Sequence, residues 1–518
     1  MLKTVTTGFH IFSIVSIACV SCGGGHQSRP APDTDQQQGK TLAASYCQSC
    51  HMLPDPSLLD KKTWITGVLP AMGPHLGIFA YGDKIYPSRR SDPNVSRNYY
   101  PSQPIITFSQ WQSIIDYYAS SAPDTLAVWR GGDTIRNNLD LFSVYWPSYK
   151  SNSPASCFVK IDPSTNRIIV CDAISKKLVL FDKHLRPLDS IAVGGPIVDI
   201  DMEKNKWIIC NIGNINPNDE KLGSAEIVDV FPGGKLKKRP TPLFDKLARP
   251  VQIAESDLNK DGKMDYLVCE FGNLTGALSW MENLGNGKFK RRILRAFPGT
   301  IHVYVDDYNH DGLPDIWALF AQGEEGIFLF TNRGHGNFDQ REVLRFPPVY
   351  GSSSFSLADL NGDGFPDIIY TCGDNADFSR VLKPYHGVYV FLNDGKFNFK
   401  QKFFFHIDGC YKAIAKDFDG DGKPDIATIS FFGDYKNHPE EGFVFLHNKG
   451  NLQFEPQTLS DGKLGRWLTM DAGDLNGNGK NDIILGNFAV GPSNIKSSVD
   501  WKNNPPFILL ENIDGFKH

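Results

Sequence analysis

DLNKDGKMD (257–265), DYNHDGLPD (307–315), DLNGDGFPD (359–367), DFDGDGKPD (417–425) and DLNGNGKND (474–482) are five versions of one nine-residue loop. Each has Asp first, Asn or Asp third, Asp or Asn fifth, Gly sixth and Asp ninth. Oxygen donors at alternate positions, with a glycine that permits a sharp bend, suit a hard cation that takes roughly six to eight oxygens. Calcium fits better than magnesium, which keeps several of its waters. The expected calcium ligands are Asp257, Asn259, Asp261 and Asp265; Asp307, Asn309, Asp311 and Asp315; and Asp359, Asn361, Asp363 and Asp367. Asp417, Asp419, Asp421 and Asp425 form the fourth set, and Asp474, Asn476, Asn478 and Asp482 the fifth, which Asn478 makes the weakest by removing one charge.

An EF-hand is the rival reading, and its twelfth position decides against it. A bidentate Glu belongs there, but the chain has Val268, Ala318, Tyr370, Thr428 and Leu485. Short apolar runs such as Tyr266 to Val268 and Ile368 to Tyr370 follow the loops, so the loops join strands rather than helices. A single loop of this kind would read as an Asp/Asn-Gly turn; five in register exceed that reading.

Beyond each loop comes an apolar strand that ends in Asn, then a Gly turn and often Phe, as in Leu278 to Asn283 before Phe289 and Val388 to Asn393 before Phe397. Each unit then holds about four strands, the size of a propeller blade. Two worn copies start at Asp162 and Asp201, too depleted to bind metal, and bring the loop starts to 162, 201, 257, 307, 359, 417 and 474. The spacing of roughly fifty residues predicts seven blades. The last lacks a fourth strand after Asn512, whereas Leu139 to Trp146 is a strand-like run with no blade of its own. That run is expected to complete the final blade and close the ring.

A different chemistry precedes the repeats. Cys47-Gln48-Ser49-Cys50-His51 offers two thiols for thioethers to one porphyrin and an adjacent histidine as proximal iron ligand. Zinc would need further ligands nearby, and a thioredoxin-like pair would need a βαβ setting; neither context is present. Leu42, Ala43 and Tyr46 recur at helical spacing before the first thiol. Thr107 and Gln110 have capping-box spacing, and Trp111, Ile114, Ile115 and Tyr118 form one apolar face before Pro123. Met52 follows the proximal histidine too closely to reach the opposite face, which leaves Met72 as the leading sixth ligand and His75 as the alternative.

At the N-terminus Lys3, the apolar run Gly8 to Val20 and a following cysteine read as an export signal over residues 1–22, too short to anchor in a bilayer. Cys19 or Cys22 is placed as in a bacterial lipoprotein cleavage site, which implies attachment to a membrane through lipid. Residues 23–38, rich in Gly, Pro and Gln, read as a flexible linker. Lys plus Arg number 53 against 58 Asp plus Glu with no basic stretch, which speaks against a nucleic-acid partner.

Residues 39–126 resemble class I c-type cytochromes, apart from a long Pro- and Tyr-rich insertion between Gly77 and Pro104. Residues 139–518 resemble the FG-GAP or VCBS repeats of integrin α-like propellers. The combination is similar to exported lipoproteins of Bacteroidetes-type bacteria. The fold class implied is multidomain: a small all-α cytochrome c domain followed by an all-β seven-bladed propeller. Its cofactors would be haem c and calcium. Its place would be the periplasm or cell surface, and its partners a redox protein and a glycan or surface protein. One-electron transfer is the expected function. The alternatives are a propeller oxidoreductase that passes electrons to its own haem, and a surface adhesin. No nucleophile elbow, phosphate loop or zinc-hydrolase motif supplies a catalytic residue. Cys171, Cys210, Cys269 and Cys372 recur at one blade position and read as buried thiols, with a Cys157–Cys171 disulfide conceivable.

Overall fold

A computed structural model describes residues 34–129, 134–376, 381–491 and 499–513. The export signal, with Cys19 and Cys22, lies outside them. Seven antiparallel sheets succeed one another from Ser156 to Asn512, each four strands deep or more. In the five blades with a full acidic loop the second strand is buried at every position, as in Asp265–Glu270 and Asp315–Phe320. Both of its faces pack on neighbouring blades, so its sequence is apolar throughout instead of alternating. The outermost strands, such as Lys288–Arg295, face water and carry the charge.

The ring closes as the sequence predicts. Phe142–Tyr145 pairs antiparallel with the last strand, Asn512 opposite Phe142 and Leu509 opposite Tyr145. A short segment not foreseen, Arg136–Asn137, adds in parallel to the edge of the sixth blade. Side chains on the innermost strands also stitch blade to blade. Asp199 accepts from the Ile253 N–H at 3.2 Å, Gln252 from Val303 at 2.6 Å, and Asp471, across the closing seam, from Ile161 at 2.9 Å.

The helical unit stands on one face of this ring. Helices Thr34–Tyr46 and Phe108–Ser121 touch where Gly39 leaves no room for a side chain, since a Cβ there would meet the Ser113 carbonyl oxygen at 2.1 Å. The expected capping box is present: Thr107 accepts from the Gln110 N–H at 3.2 Å, and Gln110 accepts from the Thr107 N–H at 2.9 Å. The first helix begins at Thr34, inside the stretch read as linker, and Gln36 reaches Ser121 at 2.9 Å. A helix held by one glycine contact and a few apolar residues needs no long apolar period, which is why its first turn looked like tether. The 77–104 insertion belongs to the same core, with Tyr86, Val95 and Tyr100 buried and Trp111 donating to the Tyr86 hydroxyl at 3.1 Å.

Each innermost strand starts at one face of the propeller and ends at the other in an acidic loop. The helical unit meets the starting face: Arg89 donates to the Pro217 carbonyl at 3.4 Å, the Tyr385 hydroxyl lies 3.1 Å from the Leu58 carbonyl, and Val349 joins the helical core. Helical unit and acidic loops therefore occupy opposite faces.

Ring closure makes a direct prediction. Phe142 is 6% exposed and packs on Phe418 and Phe445, whereas Tyr145 in the same strand is 47% exposed. Phe142→Ala should cost about 3–5 kcal/mol by urea unfolding and Tyr145→Ala roughly 0.5 kcal/mol or less. Equal losses would mean that the strand does not insert as described.

Candidate functional site

The first helix ends at Tyr46, the next turn, Cys47–Ser49, carries the first thiol, and Cys50 follows at its end. Neither Cys47 nor Cys50 is in a disulfide. His51 Nδ1 lies 2.9 Å from the Met52 carbonyl oxygen. A carbonyl only accepts, so Nδ1 carries the proton and Nε2 keeps its lone pair, the tautomer an iron ligand requires. Burial lowers the proton affinity of His51 and, together with the neighbouring charge of His51, that of His75. Burial with Cys50 beside it pushes the Cys47 thiol up to about 11.

Met72 ends the short helix Leu69–Met72, and His75 lies in the next turn, Gly73–Leu76, its ring 5.2 Å from Tyr100 and 5.7 Å from Tyr99. Cys47, Cys50, His51, Met72 and His75 all line one cavity of about 1410 Å³. Its apolar wall includes Trp64 and Trp111, and the Trp64 and Tyr118 rings lie 4.4 Å apart. The donor set and the apolar lining fit a porphyrin held by two thioethers and a histidine. The opposite wall was not legible in the sequence, because it comes from propeller loops. It includes Gln322, whose buried Oε1 has no hydrogen-bond partner.

The acidic loops share one internal wiring. The first Asp accepts from the N–H of the sixth-position glycine, at 2.9 Å for Asp257, 2.8 Å for Asp307, Asp359 and Asp474, and 3.0 Å for Asp417. That glycine has φ between 82° and 87° in all five loops, a conformation other residues adopt at a cost. The ninth Asp is buried, and one oxygen accepts from the backbone N–H of the Asn that ends the third strand. The distance is 2.7 Å from Asn283 to Asp265, 2.9 Å from Asn393 to Asp367, and 2.8 Å for Asn332, Asn448 and Asn512 to Asp315, Asp425 and Asp482. The recurrent strand-final Asn is thereby explained. Its side-chain amide also donates to the carbonyl of the loop's eighth residue, for example Asn448 to Pro424 at 2.9 Å.

Carboxylate oxygens of Asp417, Asp419 and Asp421 lie within 4.8 Å of one another, as do ligand atoms of Asp419, Asp425 and His447. His447, 2.9 Å from Asp419, escaped the sequence reading, although a histidine in the apolar run Phe443–Asn448 was its visible signal. The worn loop at Asp162 is closed on itself by Ser164 and Thr165. The four recurrent cysteines are buried and free, and Cys157 donates to the Cys171 carbonyl at 3.4 Å in place of a disulfide.

With this geometry in view, the likenesses to known proteins are consistent. The FG-GAP-like repeat family matches residues 257–318, 307–370 and 417–485. The chain is 25% identical over 216 residues to the T-cell immunomodulatory protein homolog of Plasmodium falciparum (isolate 3D7), covering 34% of this chain and 29% of that protein. It is 31% identical over 140 residues to integrin alpha-PS5 of Drosophila melanogaster, covering 22% of this chain and 14% of that one. The chain thus spans less than a third of either relative. The N-terminal domain of Nup159 aligns with a TM-score of 0.41 at 12% identity, over 74% of this chain and 99% of that chain. The protein is a seven-bladed β-propeller with FG-GAP-like repeats in three of its stretches and a small helical unit on one face.

Two tests follow. Burial raises every ninth-position carboxyl, Asp425 to about 7 and Asp482 to about 6, with other loop carboxylates adding to the shift. A raised native pKa means that the folded state binds more protons, so in chelator stability should fall as pH rises from about 4 through about 7. Excess calcium should flatten that slope in thermal melts; a melting temperature that rises over this window in chelator would refute the account. Separately, Asp425→Ala orphans the Asn448 and Phe418 N–H groups. It should cost roughly 2–4 kcal/mol even without metal, whereas the exposed Asp421→Ala should lower only calcium occupancy, read by calorimetry.

Proposed function

We propose that this chain is an exported haem c protein in which the helical unit transfers single electrons and the calcium-loaded propeller serves as docking module. The observation that carries the reading is the convergence of Cys47, Cys50, His51, Met72 and His75 on one apolar-walled cavity. Cys47 and Cys50 would hold the porphyrin edge, His51 would ligate the iron, and Met72 or His75 would take the remaining axial position. When bound, the haem supplies a one-electron couple whose potential follows the axial ligand and the dryness of the pocket. The chain's own contribution is orientation and exclusion of water: the Met52 carbonyl fixes the His51 ring, and Trp64, Trp111 and Tyr118 keep one side apolar. Export with a lipid at Cys19 or Cys22 would bring the protein to the compartment where such thioethers form and calcium is plentiful.

A second reading, a surface-binding or adhesion module, draws on the FG-GAP-like repeats and on the similarity to integrin alpha-PS5. The two readings share the propeller and part at the haem. Expression of the full chain in a host that attaches haem c, followed by denaturing electrophoresis with haem staining, separates them. Covalent colour that survives denaturation and disappears in the Cys47→Ala/Cys50→Ala variant is the expected result. A colourless, folded, calcium-binding protein would leave the adhesion reading.

A further inference from the structure

The cavity beneath the helical unit does not stop at the haem segment; it continues into the central channel of the propeller. What lines that channel follows from strand register. Near its start each innermost strand shifts register against its neighbour, as between Pro250 and Gln252, Thr300 and His302, and Cys410 and Lys412. The first residue after the shift is Asp199, Gln252, His302 and Lys412 in the second, third, fourth and sixth blades. One alternate residue further in, the first and seventh blades present Lys160 and Asp471. All six side chains line the cavity.

The roles of these groups differ. Asp199, Asp471 and Gln252 each commit an oxygen to the backbone of the following blade. The ammonium groups of Lys160 and Lys412 have no hydrogen bond and no ion pair among the described residues, although carboxylates stand in the adjoining blades. An ammonium group withdrawn from bulk water and left without a partner is costly. If these lysines served only to balance Asp199 and Asp471, they would sit within contact of them. Burial lowers the proton affinity of Lys412, with Asp471 and Asp199 opposing and Lys160 reinforcing. His302, held neutral by burial with its pKa pushed down to about 3, adds an uncharged ring that can donate or accept.

We infer that this channel binds a small hydroxylated organic carboxylate, its carboxylate between Lys160 and Lys412 and its hydroxyls toward Gln252 and His302. The ligand would lie directly beneath the Cys47–His51 segment. The inference goes beyond the proposed electron transfer and does not require it, because the lysines belong to the propeller whether or not a porphyrin is attached.

Titration calorimetry on the full calcium-loaded chain, its haem content measured separately by absorbance, tests the inference with D-gluconate and L-malate as probes and sorbitol as uncharged comparator. At least one acid should bind, with sorbitol roughly tenfold weaker or more, the loss expected when charge-assisted hydrogen bonds are withheld. Lys160→Met and Lys412→Met should each weaken the acid by a similar factor while near-ultraviolet circular dichroism stays unchanged. Should Lys412→Met fail to fold, Lys160→Met decides alone. Equal behaviour of acid and sorbitol, absence of binding by both acids, or wild-type affinity in the folded lysine variants would each overturn it.

Discussion

The buried carboxylate at the ninth position of each acidic loop is the interaction on which the rest of the propeller depends. One carboxylate joins three parts of a blade: the loop that precedes it, the second strand that it opens, and the third strand whose final Asn donates to it. A buried carboxylate that accepts several N–H bonds is stable only if those donors are held in place. The turn geometry, the positive φ of the sixth-position glycine and the strand-final Asn are therefore one device, repeated five times, and they explain why the sequence repeats in its loops rather than in its strands. Strand interiors need only apolar residues of suitable size. Loop positions need one particular side chain each.

That difference also governs what could be read from the chain alone. Blade number, the closing strand Phe142–Tyr145 and the capping box at Thr107 were legible because each has a local signature. The channel was not. Lys160 and Lys412 lie in strands with no distinguishing motif, and the register shift shared by the innermost strands brings them to the same cavity. The wall that the propeller contributes to the cavity at Cys47–His51 is equally silent in sequence, since loops between blades differ in length and composition. The linker reading overran the start of the helix, at residues 34–38, for a related reason: its first turns lean on a neighbour near Gly39 and carry no apolar period, which begins only at Leu42.

The first two blades show what happens where the device is incomplete. At Asp162 the loop hydroxyls of Ser164 and Thr165 bond to the carboxylate, and the turn is closed without need of a cation. At Asp201 the carboxylate instead accepts from the Glu255 N–H of the next blade at 2.9 Å. In both places an aspartate that a cation would otherwise neutralise has been turned to holding the fold. These blades tolerate the loss because seams between neighbouring innermost strands supply the missing connections.

The distribution of charge over the two faces completes the picture. Acidic loops crowd one face, where their carboxylates repel one another unless a divalent ion or a proton intervenes. The opposite face carries a largely neutral covering unit, with His51 and His75 both disposed toward the uncharged state by burial. Between them runs a channel that Lys160, Lys412, Asp199 and Asp471 line. A fold that keeps its acidic loops on the face opposite the Cys47–His51 segment leaves the chemistry there to local groups: two thiols, two imidazoles, a thioether and whatever the channel admits from below. The helical unit meets that face of the propeller through contacts around Leu58, Pro217 and Val349, so the carboxylates of the acidic loops stay a full blade height away from it.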